Sequence, residues 1–152
     1  MLKKILVPYD GSKYSDKALK RAMELAHNLD SEILLLTVTN VSYISPPGML
    51  QGLVRSKSEK AAMKKYEKSV KQDIENMLKT AEKKCQEKGI TVSYIVKKGD
   101  ITEEILKFAK KRRVTLIVMG AQGLSGLSTF KILGSTSRKV SEYATCPVLL
   151  VR

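Results

Sequence analysis

The 152-residue sequence has no tryptophan, two phenylalanines and one histidine. So few flat rings leave little to stack on bases, which argues against nucleic acid as a partner despite a formal net charge of +13. The lone histidine, His27, sits in an Ala- and Leu-rich helical pattern with no metal-ligand spacing around it, so it is read as neither ligand nor general base. Cysteine is as scarce. Cys85 falls in a lysine-rich helical pattern and Cys146 precedes Pro147, which fits neither a disulfide framework nor a metal site. No apolar run approaches the ~18 residues of a membrane span, and the start MLKKILVPYDGS turns polar too early for a signal peptide. A cytoplasmic protein without membrane contact is expected.

What is present is an alternation of short apolar runs and helical periodicities. Lys3 to about Tyr9 reads as a buried strand ending at Asp10-Gly11-Ser12. Ala18, Leu19, Ala22, Met23, Leu25, Ala26 and Leu29 then recur at helical spacing, with Ser12 or Ser15 as N-cap. Glu32 to Thr39 is apolar on both parities, as in parallel strands covered on both faces. A Pro- and Gly-broken excursion follows. From about Ser58, the stripe Met63, Tyr66, Val70, Ile74, Leu78, Ala81, Cys85 marks one long amphipathic helix that stops at Gly89. Acids and bases interleave along it, as on a solvated face.

Ile90 to Asp100 alternates and reads as strand three, and Asp100 caps a helix over Thr102 to Lys111. VTLIVMG is strand four, Ser135 to Ala144 a last helix, and CPVLLVR strand five. Strands alternating with helices give an α/β fold of one domain, residues 1–152: a doubly wound, Rossmann-like five-stranded parallel sheet, expected order 3-2-1-4-5, with helices on both faces. Ligands of such sheets bind beyond the carboxyl ends of the strands.

The stretch MGAQGLSGLSTFKILGSTS, Met119 to Ser137, begins at such an end. It is neither a P-loop nor a dinucleotide fingerprint. Gly120 and Gly123 nevertheless let a ligand approach backbone, and Gly134-Ser135-Thr136-Ser137 opens a helix whose first amides lack internal partners. Those amides, the hydroxyls and the helix dipole would suit phosphates; an ordinary strand-ending turn and helix cap are the alternative. Asp10 has the same two readings, a site carboxylate or an Asx-turn residue.

VPYDGS from Val7, LLLTVTNV from Leu34, LIVMGAQGLSGLSTFKILGS from Leu116 and CPVLLV from Cys146 together resemble the universal stress protein family, over essentially the whole chain. The resemblance implies ATP as ligand. Pro8, Tyr9 and Asp10 would line the adenosine, with Asp10 reaching ribose hydroxyls or a metal, and Val38 would contact adenine. Met119 and Gly120 would flank the ribose or α-phosphate, and Gly123, Gly134, Ser135, Thr136 and Ser137 would hold phosphates bridged by Mg²⁺ or Mn²⁺. Ten residues, Leu124 to Leu133, separate the second and third glycines where the family pattern has nine. The extra residue is either absorbed around Gly126 to Thr129 or displaces Gly134.

No nucleophile or base stands beside these positions, so a nucleotide-dependent regulatory switch read by an unknown downstream partner is expected over a weak ATP hydrolase or nucleotidyl-transfer enzyme. The last strand should be a sheet edge. Its apolar run Val148, Leu149, Leu150, Val151 would be covered by pairing in a twofold homodimer, as the resemblance also implies.

Overall fold

The computed structural model describes residues 3–40, 56–124 and 133–152. In chain order these form β1 (Lys3–Pro8), α1 (Lys13–Leu29), β2 (Ser31–Thr39), α2 (Lys57–Gln86), β3 (Val92–Lys98), α3 (Ile101–Lys111), β4 (Leu116–Gly120), α4 (Ser135–Tyr143) and β5 (Val148–Val151). The five strands make one parallel sheet in the expected order, β3-β2-β1-β4-β5. Of the excursion read from residue 41 to 57 and the glycine-loop middle read from 124 to 133, residues 41–55 and 125–132 lie outside the described residues, while Ser56 and Lys57 already belong to the start of α2.

The period of two in the strands divides the core into two layers. Ile5, Val7, Tyr9, Ile33, Leu35 and Val118 face α1 and α2, where they meet Leu19, Ala22, Leu78 and Ala81. Leu6, Leu34, Leu36, Ile117 and Met119 face the other way, against Ile105, Phe108 and Val140 of α3 and α4. Each of these aliphatic side chains contributes about 1.5–3 kcal/mol by leaving water, and the unbroken runs in β1 and β2 follow from burial on both faces.

Element ends differ from the sequence reading where a neighbouring helix claims the backbone. Ile90 is not yet strand: its amide donates to the Cys85 carbonyl, closing α2 behind Gly89 at φ +69°. Val114 likewise donates to Ala109 at the end of α3, so β4 begins at Leu116. Of the two N-cap candidates for α1, Ser12 holds the place, accepting the Ser15 amide at 3.1 Å. Asp100 caps α3 as read, accepting the Glu103 amide at 2.9 Å. Helix α2 starts from a capping box of Ser56 and Glu59 that the sequence reading passed over. Both cysteines are free, Cys85 fully buried and Cys146 partly so.

Candidate functional site

The carboxyl ends of β1, β2 and β4 and the amino ends of α1, α3 and α4 surround one cleft. Hydrogen bonds between strand ends fix its floor. The Tyr9 amide donates to the Leu36 carbonyl at 2.9 Å, and the Thr37 hydroxyl, buried, returns a bond to the Tyr9 carbonyl at 2.7 Å. Leu36, Val38, Ile101, Ile105 and Met119 give the cleft an apolar wall. Asp10, Gly123, Gly134, Ser135 and Thr136 add carboxylate, backbone and hydroxyl groups to its lining.

Asp10 makes the Asx-turn that was one of its two sequence readings, and it also lines the cleft. Its Oδ1 accepts the Ser12 amide at 2.9 Å, an Asx-turn that carries the chain through Gly11 at φ +77°. Its Oδ2 faces Gly123, where an added Cβ would stand 3.2 Å away. The same carboxylate therefore shapes the turn and borders the cleft.

The two ends of the glycine loop are held together. The Gly134 amide donates to the Ala121 carbonyl at 2.8 Å, and the Ser137 hydroxyl lies 2.8 Å from that same oxygen and 2.9 Å from the Gly134 carbonyl. Gly134 thus stays in the cleft despite the ten-residue spacer. Ser137 is 3% exposed, and its hydroxyl proton is spent on these carbonyls, so it acts as a tie between β4 and α4. No side chain caps α4, because Gly134 stands at the N-cap. The first amides of this nine-residue helix, with the positive end of its dipole, open on the cleft beside Ser135 and Thr136.

The fold that carries these contacts is a known one. The Universal stress protein family pattern matches residues 1–152. The chain belongs to the universal stress protein family. It is 38% identical to universal stress protein YxiE of Bacillus subtilis, over 100% of both chains. The solved structure of MJ0577, a universal stress protein of Methanocaldococcus jannaschii, superposes with a TM-score of 0.80 at 28% identity, covering 99% of this chain and 96% of that one. A universal stress protein family member from Arabidopsis thaliana, solved with AMP bound, shares the fold at TM-score 0.62 and 21% identity, covering 98% and 90%.

Within this universal stress protein, all the residues assigned to nucleotide from the sequence line the one cleft: Pro8, Tyr9, Asp10, Val38, Met119, Gly120, Gly123, Gly134, Ser135, Thr136 and Ser137. Besides Ser137, two of them carry structural duties that the sequence did not show. Gly120 has no room for a side chain because α1 passes over it, an added Cβ falling 2.7 Å from the Tyr14 Cβ. The Tyr9 ring packs in the core and its hydroxyl donates to Asp16 at 2.5 Å. Sequence reasoning missed Ser15, Leu36, Ile101, Ile105 and Gln122 as lining residues. The signal available for Leu36 and Ile105 was core periodicity, which cannot tell a buried wall from a ligand wall.

Burial, then the bond to Asp16, pushes the Tyr9 phenol well above its ordinary value of 10.0. The folded state therefore holds this proton more tightly than the unfolded chain. The associated stability is complete below pH 10 and is lost as pH climbs through the folded-state value. Tyr9→Phe should be less stable than wild type by about 1.5 kcal/mol at pH 8. In urea unfolding the gap should shrink above pH 10; a gap independent of pH to 11 would remove the assignment.

Proposed function

We propose that this universal stress protein binds ATP with a divalent cation in the cleft and acts as a nucleotide-dependent regulatory switch in the cytoplasm, read by a downstream protein. The observation that carries it is the uncapped start of α4, which opens on a cleft lined both by apolar side chains and by Asp10 and Gly123. Apolar Val38, Ile101 and Met119 suit the base and sugar, and the α4 amides suit phosphate. The AMP-bound Arabidopsis protein supports the reading to the extent that this fold accommodates an adenine nucleotide.

No lysine or arginine lines the cleft among the described residues. A polyphosphate would thus be balanced by amides, the helix dipole and the cation it brings. The described residues hold no cluster of three metal-ligating side chains. Mg²⁺ or Mn²⁺ would therefore be carried mainly by phosphate oxygens, with Asp10 Oδ2 as the protein's contribution. The cation would supply charge neutralisation there. Asp10 is the one carboxylate among the lining residues and no histidine joins it, which favours binding over hydrolysis.

Calorimetric titration with Mg²⁺-ATP tests this directly. Saturable heat is expected, with affinity lowered about tenfold or more when the cation is chelated. No heat, together with no adenine nucleotide in the mass spectrum of material that co-purifies, would end the proposal. The reading also includes a twofold homodimer through β5, which lies at a sheet edge with Leu149 exposed. Sedimentation at micromolar concentration should give twice the 16.9 kDa chain mass; a monomer would contradict it.

A further inference from the structure

Thr37 places a hydroxyl where β2 otherwise carries hydrocarbon. Ile33, Leu34, Leu35 and Leu36 before it are all buried, and Thr37 is itself only 6% exposed. A hydroxyl at that depth is unfavourable unless it is bonded. Its acceptor is the Tyr9 carbonyl, 2.7 Å away at the neighbouring strand end. Leu36 and Val38 line the nucleotide cleft, whereas Thr37 between them turns to the other face of the sheet and is not part of the lining.

The bond falls where β1 leaves the sheet. Strand β1 ends at Pro8, opposite Leu36, and the Tyr9 amide still donates to the Leu36 carbonyl at 2.9 Å. In a parallel ladder the next bond would come to the Tyr9 carbonyl from a backbone amide of β2. The donor that meets it is the Thr37 side chain, so the peptide joining Tyr9 to Asp10 stays held as the chain turns away.

That peptide aims Asp10. Its carbonyl oxygen and the Asp10 N–H lie in one rigid plane, so fixing the first fixes the direction in which Asp10 leaves β1. Downstream, Asp10 Oδ1 accepts the Ser12 amide at 2.9 Å. Met77 of α2 packs on Gly11 so closely that an added Cβ there would stand 2.6 Å from its Sδ. The aspartate is thus gripped from both sides, with Oδ2 left facing Gly123.

Resting on the reading of the cleft as a Mg²⁺-ATP site, we infer that Thr37 is a positioning residue for it. Its bond to the Tyr9 carbonyl holds Asp10 Oδ2 in place for the cation that the phosphates bring. Mg²⁺ demands near-octahedral oxygen ligands at distances kept within about 0.2 Å. A Tyr9–Asp10 peptide free to rock would forfeit Oδ2 while the apolar wall stayed as it is.

Calorimetric titration of the full chain with ATP, with and without Mg²⁺, tests this. Thr37→Val should weaken binding about tenfold in Mg²⁺ and less than about twofold in its absence, and Thr37→Ser, which keeps the hydroxyl, should restore wild-type affinity. In an Asp10→Asn background the same Thr37→Val change should add less than about twofold, because the group being positioned is already gone. In nucleotide-free protein, the Ser12 amide should exchange with solvent about tenfold faster in Thr37→Val than in wild type. Ile90→Ala, a truncation of a buried residue at the amino end of β3, is the destabilised control and should change neither readout. If Thr37→Val does not fold, Thr37→Cys, with a weak thiol donor, should still lose about threefold in Mg²⁺. Wild-type affinity in whichever variant folds would overturn the inference and leave the nucleotide reading intact. So would an equal loss in the Asp10→Asn background, which would place the effect on the wall through Val38. No heat from the wild-type protein would end both.

Discussion

Gly120→Ala should lower the thermal unfolding midpoint by roughly 6–12 °C, corresponding to about 3 kcal/mol at about 2–4 °C per kcal/mol for a chain of this size. The cause is overpacking. The new methyl would sit 2.7 Å from the Tyr14 Cβ and 2.9 Å from the Tyr14 carbonyl carbon. Neither is the far end of a flexible chain, so α1 or the end of β4 must shift. Val118 on the preceding turn of the pleat is fully buried on the same face, which leaves the strand little freedom to withdraw. Gly89→Ala provides the contrast, because nothing stands within 4 Å of its added Cβ and the penalty arises from φ +69° alone. That variant should lose only about 1 kcal/mol. Calorimetric unfolding of both distinguishes the causes, and equal midpoints would refute the packing account.

Gly123→Val is expected to do the reverse, leaving the unfolding midpoint nearly unchanged while weakening Mg²⁺-ATP binding about a hundredfold, or about 2.7 kcal/mol. Among the described residues only the Asp10 Oδ2 lies within 4 Å of its added Cβ, at 3.2 Å, and a small turn of that carboxylate relieves the contact. The cleft is obstructed nonetheless, since the branch would stand beside the carboxylate oxygen that the Asx-turn leaves open. Asp10→Asn separates the effects further. It retains an oxygen for the Ser12 amide and removes the charge, so the turn persists while any role toward the cation is lost. Wild-type affinity in Gly123→Val, measured by the same titration, would place the nucleotide elsewhere.

The strand and helix succession was legible because β1 and β2 are apolar on both faces and α1 and α3 repeat at helical spacing. The cleft was legible for a related reason: a parallel sheet brings the carboxyl ends of its strands together, so Asp10, Val38 and Gly120 converge by topology. What stayed hidden depends on distances between elements remote in sequence. Nothing near Gly120 announces that Tyr14 lies over it, and nothing near Ser137 announces the Ala121 carbonyl. The edge place of β3 followed from the expected strand order, whereas alternation in Val92–Lys98 reported only its partial exposure.

The central place of β1 has a consequence for how the chain is made. Its β2 partner follows within Ser31–Thr39, but its other neighbour, β4, is not synthesised until Leu116–Gly120. At ribosomal speeds of ~5–20 residues per second, one flank of Ile5, Leu6 and Val7 waits on the order of ten seconds for its mate. During that interval the nascent chain presents a bare, aliphatic strand. Holding chaperones should therefore engage it most strongly before residue 116 emerges and release it soon after, a timing set by strand order rather than by the amount of core.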